Sequence, residues 1–428
     1  MKYFHRLIAA EISSFARYFD RVLQTGVVAG DDGGLLAAVD APEKTFAEEL
    51  PPMDGERTRR TVVLLNGTFN HHLDIESLLL SIKSKLARTS RVAVVAYNPY
   101  FRLLYRLAIQ FGIKSGDVPT TFLTRTSLEN LARLTGFEIV RIRPAAYLPW
   151  YVPIVSSLLN RVMPTVPLLR WLGLVNVIVL RPVIAEERRP SLSVIVPARN
   201  ERGNIEAALE RLPDLGADVE VVFVEGHSTD GTWQEIERVA AAHPNVRALR
   251  QTGRGKGDAV RLGFAEARGE LMTILDADLT MPPEKLVSFY EAYVAGRGDF
   301  VNGSRLVYPM EGEAMRFLNH IGNIFFAKAL SSVLDMRVGD SLCGTKLLAR
   351  HDYERFVRWR QSFGEFDPFG DFELLFPAAV LGIGSIDVPV HYRARTYGTT
   401  QIRRFRDGLT LLRMVITGFI DIKMGRVP

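Results

Sequence analysis

Two aspartates separated by a single residue follow an apolar run in the second half of the sequence. Residues 271–275 (LMTIL) predict a buried strand, and Asp276 and Asp278 come directly after it. Two carboxylates at a strand end can approach one divalent cation, and their oxygen atoms suit Mg²⁺ or Mn²⁺. Such a cation would bridge a diphosphate and neutralise it as a sugar–phosphate bond breaks. The pair therefore predicts a metal site, with Asp278 also counted among the catalytic residues.

Other polar clusters follow the two strands predicted just before this one. Residues 197–201 (PARNE) follow the first, and residues 225–232 (EGHSTDGT) follow the second. A glycine-rich stretch at 253–257 lets backbone N–H groups and Lys256 approach an anion closely. Because ligands bind beyond the carboxyl ends of parallel strands, we expect these clusters to meet at one edge of a sheet and to bind a nucleotide sugar. Alternatively, Ser228 and Thr232 only cap the helix that begins near residue 232.

Strand and helix signals alternate in two blocks and predict an α/β fold for each, with parallel sheets. The predicted strands are 61–65, 91–97 and 137–142 in the first block, and 192–196, 219–224 and 271–275 in the second. The predicted helices are 75–86, 204–211 and 233–242. A charged segment flanked by prolines separates the blocks. We therefore predict one domain at 1–183, a linker at 184–190 and a second domain at 191–428.

The composition is that of a globular protein, with 47% hydrophobic and 24% charged residues among 428. The single cysteine, Cys343, excludes an internal disulfide and fits a reducing compartment, and the amino terminus does not read as a signal peptide. The net charge of +5 is concentrated in residues 391–428, which hold eight basic and two acidic residues. This pattern favours a local anionic partner and argues against a nucleic-acid binder.

One apolar region, residues 144–181, carries only Arg161 and Arg170 between its ends. Its longest uncharged run is too short for a membrane span, and it contains several prolines, which break helices. We expect short helices that lie either on the bilayer interface or against the neighbouring domain.

The order and spacing of seven segments in the second block resembles family 2 glycosyltransferases of the GT-A fold, and within them the dolichyl- or polyprenyl-phosphate sugar synthases. The segments are LSVIVPARNE, FVEGHSTDGT, GRGKGDAVRLGF, LDADLTMPPE, VNGSR, DSLCGTK and RTYGTTQ. The resemblance implies a metal-dependent, inverting transfer of a hexose from a UDP- or GDP-sugar. Two departures leave the base, the sugar and the metal coordination open: EGHS replaces the usual DDGS at residues 225–228, and Thr280 replaces a glutamine.

The resemblance also implies roles for individual residues. Those implied in nucleotide-sugar binding are Pro197, Ala198, Asn200, Glu201, Glu225, Gly226, Ser228, Lys256 and Asp276. Asp276 and Asp278 would hold the metal and the diphosphate. Arg305 and Arg316 match basic residues near the acceptor phosphate.

The kind of acceptor is inferred by weighing the candidate general bases against the arginines that could bind a phosphate. A hydroxyl acceptor needs a general base, which Asp371 or Glu373 could supply, whereas a lipid phosphate is already ionised and needs cations to position it. The available cations are Arg305, Arg316, Arg395, Arg403 and Arg404. We therefore expect a polyprenyl phosphate acceptor, with Asp371 and Glu373 orienting the sugar or the basic cluster. Transfer to a hydroxyl in cell-envelope or glycan biosynthesis is the alternative.

The apolar tail at 409–422 is expected either to lie on the membrane or to close the core of the second domain. With the lipid acceptor, this predicts a peripheral enzyme on the cytoplasmic face of the membrane.

The first block contains RVLQTGVVAGDDGGLLAAV after a predicted helix, and then VVLLNGTFNHHLDIESLLLSIKSKL, RVAVVAYNPYFRLLYRLA and LENLARLTGFEIVRIRP. On these segments it resembles a class I methyltransferase over residues 2–182. Three features depart from that family: Gln24 stands at the usual acidic position, residues 26–30 read GVVAG, and residues 40–60 show no strand pattern. The resemblance therefore implies a degenerate domain that docks or acts as a scaffold, and S-adenosylmethionine is not expected as a cofactor. The alternative of another class is a methyltransferase with an appended sugar-binding module.

Overall fold

A computed structural model describes the chain as two units. The described residues are 2–26, 28–53, 59–113, 115–309, 317–363, 367, 370–395, 397 and 404–425. Unit 1 comprises Met1–Ile184, Ala379–Ile383 and Phe419–Pro428, and unit 2 comprises Ala185–Ala378 and Gly384–Gly418. The last ten residues thus belong to unit 1, although the sequence pattern placed them in the second domain. Arg143 and Arg161 explain this difference, because they donate hydrogen bonds to the carbonyls of Ile422 and Met424 at 3.2 and 3.1 Å.

Unit 1 contains a six-stranded sheet, sheet 1, in the order β2-β1-β3-β4-β6-β5. The strands are β1 (Arg21–Gln24), β2 (Lys44–Phe46), β3 (Thr61–Asn66), β4 (Arg91–Tyr97), β5 (Phe137–Ala145) and β6 (Val175–Pro182). Strands β1 to β4 are parallel, and β6 is antiparallel to both β4 and β5. The sheet is therefore mixed, where strand–helix alternation predicted a parallel one. We call edge 1 the border at which β1 to β5 end and β6 begins.

Strand β2 corrects the expectation that residues 40–60 contain no strand. It is three residues long, is exposed at all three positions and pairs with β1, so no buried apolar run marks it in the sequence. Helices cover both faces of sheet 1: Val62 and Leu64 pack with α1, and Val63 and Leu65 pack with α4 and α6. The helices are α1 (Lys2–Ala16), α2 (Gly34–Ala38), α3 (Thr68–His71), α4 (Ile75–Lys83), α5 (Arg102–Gln110), α6 (Arg125–Leu134) and α7 (Val155–Val162).

Unit 2 contains a seven-stranded sheet, sheet 2, in the order β13-β11-β12-β10-β7-β8-β9. The strands are β7 (Leu192–Ala198), β8 (Val219–Glu225), β9 (Val246–Arg250), β10 (Leu271–Ile274), β11 (Phe300–Ser304), β12 (Lys346–Ala349) and β13 (Ser385–Pro389). Only β12 runs against the others, which makes this sheet mixed as well. Six strands therefore end, and β12 begins, at one border, which we call edge 2.

Helices α8 (Ile205–Glu210), α9 (Thr232–Ala242) and α11 (Leu286–Val294) pack on a core that includes Val194, Val196 and Phe223. The other helices after residue 184 are α10 (Lys256–Glu266), α12 (Phe317–Leu334), α13 (Arg350–Phe363), α14 (Phe372–Val380) and α15 (Arg404–Gly418). A π-helical turn, Phe419–Lys423, follows α15. The two sheets with their helices confirm the predicted fold class of two α/β domains. No helix in the described ranges has both the length and the apolar composition of a membrane span.

Candidate functional site

The loops after β7 and β8 are joined at edge 2. The backbone N–H of Gly226 donates to the carbonyl of Ala198 at 2.9 Å, which continues the pairing of the two strands. The N–H of Asn200 then donates to Oγ of Ser228 at 3.0 Å, and the N–H of Thr229 donates to Oδ1 of Asn200 at 2.9 Å. These reciprocal bonds hold both predicted nucleoside loops in one arrangement.

Three loops at edge 2 each contain a non-glycine residue in the left-handed region. They are Asn200 after β7 (φ 55°), His227 after β8 (φ 60°) and Leu279 after β10 (φ 53°). His227 Nε2 lies 2.9 Å from the carbonyl of Gly253, which ties its loop to the glycine-rich stretch. Such conformations cost free energy and cluster at functional sites, so edge 2 is the natural place for a ligand.

Glu201 and Thr232 also connect the loops that follow β7 and β8. The N–H of Glu201 donates to Oγ1 of Thr232 at 3.0 Å, and Nδ2 of Asn204 donates to the Glu201 carboxylate at 2.7 Å. Burial raises the pKa of the Glu201 carboxyl. The N-cap residue of helix α9 is Gly231, and it is Asp230 whose carboxylate accepts from the N–H of Thr232, at 3.0 Å, so the capping alternative for Ser228 and Thr232 is wrong. Their hydroxyls instead accept from the loop after β7.

Glu225, the last residue of β8, faces the same loops. It is buried, and its Oε1 accepts from the N–H of Ser228 at 2.5 Å. The longer glutamate side chain thus reaches back to its own loop. The sequence-predicted residues Pro197, Ala198 and Gly226 lie at the ends of these two strands and contribute backbone.

Lys256 and Asp276 form an ion pair beside the third loop. Lys256 is the first residue of α10 and Asp276 follows β10, so the end of a strand meets the start of a helix. Burial alone would raise the pKa of the Asp276 carboxyl, but Lys256, with the more distant charges of Lys346 and Arg305, holds the pKa below its usual range. Burial would lower the pKa of Lys256, yet Asp276 and Asp371 together raise it. Both groups are therefore ionised at neutral pH.

Asp278 is held by three groups through its two carboxylate oxygens. Oδ1 accepts from the backbone N–H of Thr280 at 3.1 Å and from its hydroxyl at 2.7 Å. Oδ2 lies 2.5 Å from a guanidinium nitrogen of Arg395, which also lies 3.8 Å from Glu201. Arg395 thus links the metal-site candidate to the nucleoside loops. Thr280, the departure from the family pattern, orients Asp278.

The two aspartates fit a divalent cation. Both are carboxylates at the end of one strand, and each is paired with a cation, Lys256 or Arg395, which shows that the place favours positive charge. A Cβ atom at Gly344 would overlap Asp276, so the glycine keeps space beside this carboxylate. Within the described ranges no group of three or more His, Cys, Asp or Glu side chains gathers. Asp276 and Asp278 would therefore hold the ion together with ligand oxygens.

Arg305 follows β11 and is engaged by Asp340, a residue that the sequence motifs did not single out. Nε and one terminal nitrogen of Arg305 lie 2.7 and 2.9 Å from the two carboxylate oxygens of Asp340. Asp340 is fully buried, and the guanidinium outweighs burial and holds its pKa below the usual range. The ring of Tyr392 lies 5.3 Å from the guanidinium carbon. The only sequence signal for Asp340 was its place in the segment DSLCGTK.

Asp371 and Glu373, the two candidate bases, are both buried and paired with cations. Nζ of Lys346 lies 2.5 Å from Oδ1 of Asp371. Arg261 and Arg360 each lie 2.9 Å from one oxygen of Glu373. These three cations are not members of the predicted basic cluster, so the orienting role expected of the two carboxylates stays a prediction. Lys346 opens β12 at edge 2, and sequence reasoning assigned it no role.

Two predicted residues, Arg316 and Arg403, lie outside the described residues. Arg404 is the first residue of α15, and only its backbone is described. The predicted acceptor cluster is therefore represented by Arg305 and Arg395.

Comparison with known proteins identifies the family. The Glycosyl transferase family 2 profile matches residues 193–356. A dolichyl-phosphate hexose transferase of Haloferax volcanii is 30% identical over 231 residues, which cover 53% of this chain and 92% of that protein. The chain belongs to glycosyl transferase family 2. This confirms the resemblance inferred from the seven segments.

Other relatives are matched over a smaller part of their length. A dolichol-phosphate mannosyltransferase of Pyrococcus furiosus is 30% identical over 221 residues, 50% of this chain and 59% of that protein. The enzyme of the same name from Saccharomyces cerevisiae is 39% identical over 106 residues, 23% of this chain and 40% of that protein. The chain thus spans between two fifths and three fifths of these two relatives.

A solved structure is also similar to part of the chain. It is the mannosyltransferase PcManGT from Pyrobaculum calidifontis in complex with GDP-Man and Mn²⁺, with a TM-score of 0.38 and 21% identity. The match covers 57% of this chain and 68% of that one.

Proposed function

We propose that the chain is a metal-dependent, inverting glycosyltransferase that moves a hexose from a UDP- or GDP-sugar to a polyprenyl phosphate. The observation that carries this proposal is the charged arrangement at edge 2, where Asp276 pairs with Lys256 and Asp278 pairs with Arg395. It is the arrangement that a diphosphate with a divalent cation requires. The named activities of the relatives from Haloferax volcanii and Pyrococcus furiosus support the same reaction.

The donor would lie across the three joined loops. The loops after β7 and β8 would hold the nucleoside, and the residues at the end of β10 would face its diphosphate. A Mg²⁺ or Mn²⁺ ion held by Asp276 and Asp278 would neutralise the leaving diphosphate. Lys256, ionised beside Asp276, would add a positive charge to the same oxygens. Arg395 would position Asp278 against the nucleoside loop through Glu201.

The acceptor argument rests on which groups remain available as bases. Asp371 and Glu373 are each paired with cations, and an ion-paired carboxylate is a weaker base because the cation stabilises its charge. A lipid phosphate needs no base: its oxygen attacks the anomeric carbon, the bond to the diphosphate oxygen breaks, and the nucleoside diphosphate leaves with the electron pair. No proton has to move. Arg305, together with Arg316 and Arg403 from outside the described residues, would position the acceptor phosphate.

A polyprenyl acceptor requires access to a membrane, and unit 2 has apolar side chains suited to it. Helices α12 and α15 pack together, and Leu411 and Met414 of α15 are buried. The opposite sides of the two helices expose Phe325, Leu412 and Ile416. The exposed side chains support a tail that lies on the membrane, and the buried side chains support a tail that closes the core of the second domain. We propose a peripheral enzyme on the cytoplasmic face of a membrane.

The test is sugar transfer into a lipid phase. The full chain is incubated with Mn²⁺ or Mg²⁺, detergent-dispersed polyprenyl phosphate and a panel of labelled UDP- and GDP-hexoses, and the label in the organic phase is counted. We expect label with one donor, loss of label on chelation, and loss of label in Asp278→Asn. The label should be acid-labile, as a glycosyl phosphate is.

Two results would contradict the proposal. Label that enters the organic phase equally with Asp278→Asn would remove the metal-site carboxylate from the reaction. Label found only in water-soluble glycan, with an organic phase at background for every donor, would favour the hydroxyl acceptor and make Asp371 or Glu373 the base to test.

A further inference from the structure

Two segments of unit 1 expose an unusual density of large apolar side chains at edge 1. Residues 98–113 follow β4, and residues 146–174 connect β5 to β6. We call the exposed apolar side chains of these two segments the apolar face. Several are more than half exposed, namely Leu103, Phe111, Trp150, Ile154, Leu158 and Leu168. Contiguous exposed apolar surface of this kind marks a protein or membrane contact.

Helix α7 buries polar side chains and exposes apolar ones. Its buried residues are Ser156 and Asn160, four positions apart on one face. Its exposed residues include Val155, Leu158 and Leu159, which share the other face. A helix packed on a protein core in water normally has the reverse arrangement. The exposed face of α7 therefore suits an apolar surrounding.

Buried polar side chains hold this arrangement in place. Oδ1 of Asn160 accepts from the backbone N–H of Tyr147 at 2.8 Å and of Leu148 at 3.2 Å. Nδ2 of Asn98 donates to the carbonyls of Trp171 and Gly173 at 2.8 and 2.7 Å, which ties the two segments together. The hydrogen bonds run inward while the apolar side chains point outward, so the exposure is built into the local structure.

The charges of the two segments have one sign. Residues 98–113 and 146–174 contain no Asp or Glu in the sequence, and they contain Arg102, Arg106, Arg161 and Arg170. Trp150 and Trp171 are exposed among them, and tryptophan is enriched at the level of lipid headgroups. Two copies of this face would bring like charges together in a symmetric dimer. An anionic lipid surface complements both the charge and the apolar side chains.

We propose that the apolar face of unit 1 docks on an anionic phospholipid surface, with its apolar side chains at the boundary between headgroups and acyl chains. This gives unit 1 a role as a membrane-docking module. The value of docking to the enzyme rests on the proposed function, since a polyprenyl phosphate acceptor lies in that surface. The docking itself requires neither donor nor acceptor.

The test is vesicle flotation of the full chain without any nucleotide sugar. Vesicles of phosphatidylcholine alone are compared with vesicles in which about one third of the lipid is anionic phosphatidylglycerol. We expect binding to the anionic vesicles that weakens with added salt. The variant Leu158→Glu/Leu168→Glu should lower the partition coefficient at least about tenfold, because it replaces two apolar side chains of the apolar face with negative charges that an anionic surface repels.

The matched control is Leu134→Glu. Leu134 is 70% exposed and ends α6 just before β5 begins, which places it at the border of sheet 1 opposite edge 1. This variant should bind vesicles as the unmodified chain does. Circular dichroism and thermal melting check that each variant is folded.

A second measurement keeps the proposal testable if the double variant misfolds. Brominated lipids should quench tryptophan fluorescence of the unmodified chain, and Trp150→Phe/Trp171→Phe should abolish that quenching. The proposal is overturned if the unmodified chain does not float with anionic vesicles, or if Leu134→Glu loses as much vesicle binding as Leu158→Glu/Leu168→Glu. It is also overturned if the chain does not bind vesicles but forms a dimer that depends on Leu158 and Leu168. Sugar transfer in detergent separates the docking proposal from the proposed function. Leu158→Glu/Leu168→Glu should retain transfer in detergent even where it no longer binds vesicles.

Discussion

Edges 1 and 2 are built alike and carry different chemistry. At each, parallel strands end and an antiparallel strand begins. At edge 2, carboxylates meet cations, as in the pair of Asp278 and Arg395. At edge 1, Asp31 meets neutral amides instead: Nε2 of Gln24 at 2.6 Å and Nδ2 of Asn66 at 2.9 Å. The architecture supplies the place, and the residues that follow each strand decide whether it can bind a diphosphate.

Glycines have opposite effects on the free space at the two edges. At edge 2, Gly344 leaves space beside Asp276 and Lys256. At edge 1, a Cβ at Gly30 would lie 2.9 Å from the Cα of Gly116, so there the glycines let one chain segment fill the space against another.

The largest contrast should come from matched carboxylate-to-amide changes. Asp276→Asn should lower the transfer rate in detergent about 10³-fold, because metal-based charge stabilisation is worth several kcal/mol and each 1.36 kcal/mol is tenfold in rate. Asp31→Asn in unit 1 should leave the rate within about twofold. Initial rates at saturating donor measure both. A large loss with Asp31→Asn would mean that edge 1 takes part in catalysis.

The buried pair of Lys346 and Asp371 should dominate the stability of edge 2. Lys346→Met should lower the free energy of unfolding by about 3–5 kcal/mol, because it removes the ammonium bonded to the buried Asp371 carboxylate and leaves Lys256 to act on it through charge alone. Lys346→Met/Asp371→Leu should recover most of that stability without recovering full activity. Denaturant unfolding and initial rates separate the two effects. Recovery of both would reduce the pair to a packing role.

Glycine-to-alanine changes should separate activity from stability. Gly344→Ala should lower the transfer rate about tenfold or more with little change in melting temperature, because its Cβ displaces Lys256 and Asp276 while the rest of the core is untouched. Gly30→Ala, at φ 85°, should cost about 1–3 kcal/mol of stability and leave the rate in detergent unchanged. The comparison fails if the two variants lose activity in equal proportion.

The smallest expected effect is on the pH dependence of stability, through the carboxyl group of Glu201. Burial raises its pKa above the usual 4.5, so between that value and the raised pKa the folded chain binds more protons than the unfolded chain. Stability from this group therefore falls as the pH rises through that window. Glu201→Gln keeps an acceptor for Asn204 and removes this titration, so its stability relative to the parent should be greater at pH 7 than at pH 4. Melting temperatures at the two pH values test the sign.

The sequence alone was sufficient for the two α/β domains and for the family. Motif residues lie next to each other in the chain, so the pattern of Asp276 and Asp278 after an apolar run is visible in the sequence itself. The buried runs of β3, β4, β7 and β8 were predictable for the same reason, since apolar residues in succession mark a strand buried on both faces. Strand β2 was missed because it is short and exposed.

Tertiary structure alone decided which distant residues meet. Arg395 contacts Asp278 and Glu201, and Asp340 holds Arg305, because parallel strands and the single antiparallel strand β12 bring separate loops to one edge. It also decided that α7 buries Ser156 and exposes Leu158, which the apolar character of residues 144–181 left open. Local composition determines what an element is made of, whereas the packing of elements far apart in sequence determines which side chains touch.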